Sequence, residues 1–124
     1  MMILHTQQVF VTLADPDGQT LTHFYTQLFN QPPAQIIPQV YAEFHLPGLK
    51  LGIFKPKQTH QVEFSNSHHS GMSLCIPVDS LETAIAHLTT LGHPPPGEII
   101  QAPHGREIYA YDPLGNRLIF FQPN

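Results

Sequence analysis

The chain has 124 residues, 41% of them hydrophobic and only 11% charged, with a formal net charge of -4. This is enough apolar material for one compact core and too little length for a second independent domain. Lys and Arg total only 5, leaving no basic stripe for a phosphate backbone, and Cys75 is the only cysteine, which excludes an intramolecular disulfide and thiolate-built zinc sites. No apolar run approaches the ~20 residues of a membrane span. The opening Met1 to His5 is too short and polar for a signal peptide. The expectation is a cytoplasmic protein with no nucleic-acid or membrane partner. Its sparsely charged surface repels like copies weakly, which leaves room for a homo-oligomer.

Val9, Val11 and Leu13 alternate with Phe10 and Thr12 as a strand that stops at the Asp15-Pro16-Asp17-Gly18 turn. Leu21, Phe24, Tyr25, Leu28 and Phe29 recur at helical spacing, and Gln31-Pro32-Pro33 ends the helix. Three short strands follow, around residues 35–37, 40–46 and 49–55, the last two joined by a Pro47-Gly48 turn. Residues 57–67 are polar and aperiodic and read as a linker. The order then repeats. Leu74, Ile76 and Val78 alternate as a strand. Leu81, Ala84, Ile85 and Leu88 mark a helix capped by Asp79 or Ser80 and stopped by Gly92. Strands around residues 98–101, 107–111 and 117–122 finish the chain.

The repeat also shows in the letters. Pro32-Pro33-Ala34-Gln35-Ile36-Ile37 answers Pro95-Pro96-Gly97-Glu98-Ile99-Ile100, Leu51-Gly52-Ile53-Phe54 answers Leu118-Ile119-Phe120-Phe121, and Gly48 answers Gly115. The predicted fold is α+β: two βαβββ modules, residues 1–56 and 68–124 of a single domain, forming a half-open eight-stranded barrel with a helix on the outside of each half.

Residues 105–116, Gly-Arg-Glu-Ile-Tyr-Ala-Tyr-Asp-Pro-Leu-Gly-Asn, are similar to the strand and Asp-Pro-x-Gly-Asn turn of the vicinal oxygen chelate superfamily. Those proteins include glyoxalases, extradiol dioxygenases and bleomycin-resistance proteins. Phe24-Tyr25-Thr26-Gln27-Leu28-Phe29 resembles their first-helix signature, with Phe29-Asn30 where they carry Leu-Gly, and Val78-Asp79-Ser80-Leu81 resembles the start of their second helix. The resemblance covers nearly the whole chain. It implies metal ligands at Gln8, Gly52, Ser73 and Ile119, where the family carries His or Glu. Gly52 and Ile119 offer no donor, Ser73 is a poor one and Gln8 a weak neutral one. The expectation is therefore no metal and no cofactor, which counts against the familiar metal-dependent activities.

If Gln8 points into the cleft, strand alternation sends Phe10 and Thr12 there too, along with Phe54, Cys75, Arg117 and Phe121. Tyr109 and Tyr111 share one face, and Phe44 is matched to Tyr111. The expected ligand set is Phe10, Phe44, Phe54, Cys75, Tyr109, Tyr111, Arg117 and Phe121, an apolar pocket with a few polar points. Arg117 or Arg106 offers a planar fork for a carboxylate. The same aromatic stripe would equally serve as plain core, and Cys75 as an inert thiol. His104, beside Gly105, is the weak candidate for proton transfer. The leading expectation is metal-free binding of a small apolar or aromatic molecule, and the resemblance to the bleomycin-resistance branch, which holds its ligand between subunits, implies a homodimer. One alternative is a lyase, isomerase or dioxygenase whose metal is held by displaced ligands such as His68, His69 or His104. The other is an interaction module whose cleft is collapsed by Phe10, Phe54 and Phe121.

Overall fold

The computed structural model describes residues 2–124, so the Met1 end of the opening segment lies outside it. Two four-stranded sheets carry the chain. The first holds β1 (Val11–Ala14), β2 (Gln35–Ile37), β3 (Tyr41–Leu46) and β4 (Leu49–Phe54) in the order β1-β4-β3-β2. The second holds β5 (Leu74–Pro77), β6 (Ile100–Ala102), β7 (Gly105–Tyr111) and β8 (Arg117–Pro123) in the matching order β5-β8-β7-β6. Helix α1 (Thr20–Phe29) follows β1, and α2 (Leu81–Thr90) follows β5. Each first strand runs parallel to its fourth, with Thr12 beside Gly52 and Cys75 beside Ile119. The letter repeat is thus a repeat of register: Ile37 faces Tyr41 as Ile100 faces Glu107.

Alternation divides each sheet into two faces. Leu51, Ile53 and Phe44 in one sheet, and Leu118, Phe120, Ile108 and Ala110 in the other, meet Leu21, Phe24, Tyr25, Leu81 and Leu88 of the helices in one continuous core. Neither module closes a core alone, which is why the two are fused. The opposite faces carry Thr12, Gly52, Phe54 and Tyr41, and Cys75, Ile119, Phe121 and Tyr109. They are the site-bearing faces.

The helix ends are local chemistry. The Asp15–Gly18 turn also caps α1: Asp17 accepts from the amides of Gln19 and Thr20 at 2.8 and 2.9 Å, and buried Asp15 accepts from Leu21 at 2.7 Å. Asn30, in the left-handed conformation at φ 50°, stops α1 before the prolines do. Ser80 caps α2 through the Thr83 amide at 3.2 Å, and Gln122 of β8 takes the Leu81 amide at 2.8 Å.

Three expectations need correction. The first strand begins at Val11, so Gln8 and Val9 lie outside it, exposed, and Val9 does not reach the core. The polar segment after β4 is ordered as two 3₁₀ turns, Gln58–Phe64 and Ser67–His69. Arg106 sits on the helix-facing side of β7 and spends its fork on Glu82 of α2, at 2.8 and 3.0 Å, and on Gln122 at 2.9 Å. The hydrogen bonds from Arg106 hold the Glu82 carboxyl down at about 2. No helix among the described residues is long and apolar enough to cross a membrane.

Candidate functional site

The Asp-Pro-Leu-Gly-Asn turn between β7 and β8 anchors the region. Asp112 is buried and accepts four hydrogen bonds: from the Leu114 and Asn116 amides at 3.0 Å each, from the Asn116 side chain at 2.8 Å and from the Tyr25 hydroxyl at 2.7 Å. The last bond ties α1 of the first module to the turn of the second. Burial, and then the Asp112 charge, push the Tyr25 phenol well above its usual range. The motif is therefore a clamp between modules, and it fixes where β8 begins.

Arg117 opens β8. Its Nε donates to the Ser73 hydroxyl at 2.6 Å and Nη2 to the carbonyls of Ser70 and Met72 at 2.9 and 3.4 Å. Nη1 makes no hydrogen bond among the described residues. Arg117 also lines a cavity of about 200 Å³ together with Val11, Leu13, Leu74, Leu118 and Tyr25, on the helix-facing side of the strands. Half of the predicted clamp is thus spent on pinning the start of β5, and half remains free.

Arg117 itself stands at the end of the open face of the second sheet. Tyr109 pairs with Ile119, which pairs with Cys75, and Glu107 pairs with Phe121. Cys75 is exposed and Tyr109 is 41% exposed, so the surface is open to solvent. Tyr111 pairs with Arg117 at the end of the row, beside the Gly92–Pro96 loop. His104 lies over Phe121, with ring centroids 4.9 Å apart, and no hydrogen-bonded acid or base orients its imidazole among the described residues. The aromatic row of this half is therefore a continuous surface, and His104 belongs to its rim.

In the first sheet Phe54 faces the same way and meets Phe64, ring edge to face at 5.2 Å. Phe64 was not foreseen, because the polar 57–67 stretch has no periodicity to mark it. Phe10 stands outside β1, 41% exposed, with the Lys50 ammonium 5.1 Å from its ring. Phe44 is a correction. It is fully buried in the helix-facing core, because it pairs with Leu51, the counterpart of Leu118, and Leu118 pairs with Ala110. Its true partner in the repeat is Ala110, one residue away from Tyr111, and one residue reverses the face. Phe10, Phe54 and Phe121 do not stack on one another; their ring partners are Phe64 for Phe54 and His104 for Phe121.

The positions of the inherited metal site do not fit a metal. Gln8 lies outside β1, the Ser73 hydroxyl is taken by Arg117, and Ile119 is apolar. At Gly52 the space is filled: a Cβ there would meet the Tyr41 hydroxyl at 2.8 Å. Tyr41 is held in place by Glu43, which accepts from its hydroxyl at 2.7 Å and helps push the phenol up to about 12, after burial. A ring and a neighbouring carboxylate thus occupy the place of a ligand side chain. His68 and His69 lie with ring centroids 4.2 Å apart. No group of three or more His, Cys, Asp or Glu gathers at ligand distance among the described residues.

A sequence model of the glyoxalase/bleomycin resistance protein/dioxygenase superfamily matches residues 3–120. The chain belongs to this superfamily. Solved structures agree on the fold. A protein from Agrobacterium tumefaciens, solved by NMR in solution, superposes with a TM-score of 0.76 at 23% identity over 97% of this chain and 99% of its own. A glyoxalase-related enzyme from Fulvimarina pelagi gives 0.74 at 22% identity, over 94% and 88%. A glyoxalase/bleomycin resistance protein from Catenulispora acidiphila gives 0.70 at 18% identity, over 96% and 100%. No curated protein matches the chain. The two sheets and their strand order are the frame that this chain shares with those solved structures.

Proposed function

We propose that the chain binds a small apolar or aromatic molecule on its open sheet face, with no metal, and works as a homodimer in the cytoplasm. The observation that carries this reading is the row Cys75, Ile119 and Tyr109 with Phe121 beside it. It presents apolar and aromatic surface around Ile119, one of the positions where the superfamily's metal chemistry would need a donor. Arg117 Nη1 adds a polar point at the end of the same face, the usual mixture of a ligand site. A second copy would cover the exposed side chains of Phe10 and Ile100, which supports pairing. The single free thiol of Cys75 suits a reducing compartment.

The test is an NMR titration with a panel of small aromatic acids. Chemical shifts should move at Cys75, Tyr109, Ile119 and Phe121, and Phe121→Ala should weaken the best binder about 10-fold, as expected when one ring of a contact surface is truncated. Unchanged affinity in Phe121→Ala, or shifts confined to the helices, would count against the site.

A further inference from the structure

The two sheets meet along strand edges that are not paired with each other. β1 is hydrogen-bonded only to β4, and β5 only to β8. The cavity of about 200 Å³ lies along this seam. Val11 beside Leu51 in the first sheet, and Leu74 beside Leu118 in the second, are counterparts in the repeat, and all four wall it. Leu51, Leu118 and Tyr25 have no solvent exposure and form its floor. Close-packed interiors contain few cavities larger than one water molecule. An apolar cavity of roughly 150 Å³ is enough to hold a benzene-sized molecule, so this one takes a compact apolar group of that size.

The other end of the cavity is polar and open. Arg117 lines it together with Ser70, Met72 and Ser73, the three residues that its guanidinium hydrogen-bonds, so the guanidinium belongs to the wall. Ser70, Met72 and Ser73 are exposed, which gives a way in from solvent. The charge at this end is uncompensated. Arg106, the other arginine, is paired with Glu82. Arg117 donates to one hydroxyl and two carbonyls and makes no ion pair among the described residues. No Asp, Glu, Lys or His is among the described residues that line the cavity, so its one formal charge is positive.

We propose that the seam cavity is a second binding site, for a short branched-chain monocarboxylate. Its alkyl tail lies among Val11, Leu51, Leu74 and Leu118, and its carboxylate accepts from Arg117 Nη1. A carboxylate only accepts, and Nη1 has a donor to give without breaking the bonds of Nε and Nη2 to the Ser70–Ser73 segment. The site goes beyond the open-face reading. The tail sits on the helix-facing side of the strands, and Cys75, Tyr109 and Phe121 take no part in the wall.

The experiment titrates 4-methylpentanoate into the full-length chain with labelled Leu and Val methyl groups, followed by NMR, with intermolecular nuclear Overhauser effects to locate the probe. Shifts and Overhauser contacts should appear at the methyls of Val11, Leu51, Leu74 and Leu118. The amide of the same acid, alike in shape but uncharged, should bind the wild type at least about 10-fold more weakly, the worth of a charge-assisted hydrogen bond. Leu74→Phe, which puts a ring into the cavity, should abolish the shifts. Arg117→Gln should weaken the acid about 10-fold and leave the amide unchanged. The comparison of acid with amide uses the wild type, so the anchor is tested whether or not either variant folds. No binding of the acid, equal affinity for acid and amide, or contacts to Tyr109 and Phe121 in place of the Leu and Val methyls overturns the proposal. The last of these would seat the acid on the open face and support that reading. Failure of aromatic acids to bind the open face leaves the seam site standing.

Discussion

Asp112→Ala should destabilise the protein by about 3–4 kcal/mol, the range for breaking a buried, charged hydrogen-bond network. The carboxylate accepts from two amides, the Asn116 side chain and the Tyr25 hydroxyl, and the last of these sits in a fully buried side chain. Removing the acceptor leaves the phenol hydroxyl desolvated with nothing to donate to. It also frees the turn that sets the start of β8, the strand hydrogen-bonded on one side to β5 and on the other to β7. A loss of this size is a large share of the about 5–15 kcal/mol that holds a domain together. Tyr25→Phe removes only the donor and should cost about 1–2 kcal/mol, because Asp112 keeps three partners. Since the two residues share one bond, the double variant should cost less than the sum. Urea unfolding at unchanged m-value measures all three. An additive double variant would show that the inter-module bond carries no energy of its own.

Gly105→Ala should cost about 3 kcal/mol, by overpacking against backbone that cannot yield. Gly105 opens β7 with φ at 154°, and a Cβ there would run into the carbonyl oxygen of Gln122 and approach the Phe121 ring at 2.9 Å. Gln122 has no freedom to retreat: its side chain takes both the Leu81 amide at the start of α2 and the Arg106 guanidinium. The added methyl would therefore disturb the β7–β8 ladder and the aromatic row together. A shift in unfolding midpoint with loss of ligand-induced shifts at Phe121 is the expected pair of results. A variant as stable as the wild type would mean the strand pair has slack that its geometry does not suggest.

The fold was legible because one pattern is written twice. Leu51-Gly52-Ile53-Phe54 and Leu118-Ile119-Phe120-Phe121 occupy the same rows of their sheets, beside Val11–Ala14 and Leu74–Pro77 respectively. The site was legible only in part. Strand pairing puts Phe54, Cys75, Tyr109 and Phe121 on the open faces. Phe44 is misplaced by counting back from Gly48 and Gly115, which matches it to Tyr111, whereas the β7–β8 turn is one residue longer than the β3–β4 turn and the counterpart is Ala110. The correct register puts Tyr41, Glu43 and His45 on the open face, a polar alternation visible in the letters once the slip is removed. Phe64 left no trace because 3₁₀ turns are short and carry no long hydrophobic period. The spending of Arg106 on Glu82, 24 positions away in sequence, depends on how α2 packs against β7. Nothing in the spacing of the two residues announces it.

The proposed metal-free binding rests on Tyr41 filling the space at Gly52, on apolar Ile119 and on Arg117 taking the Ser73 hydroxyl. Elemental analysis of untagged protein, purified without chelator, tests it most directly. Metal far below one ion per chain is the predicted result. One tightly held divalent ion per chain, retained through dialysis, would contradict it.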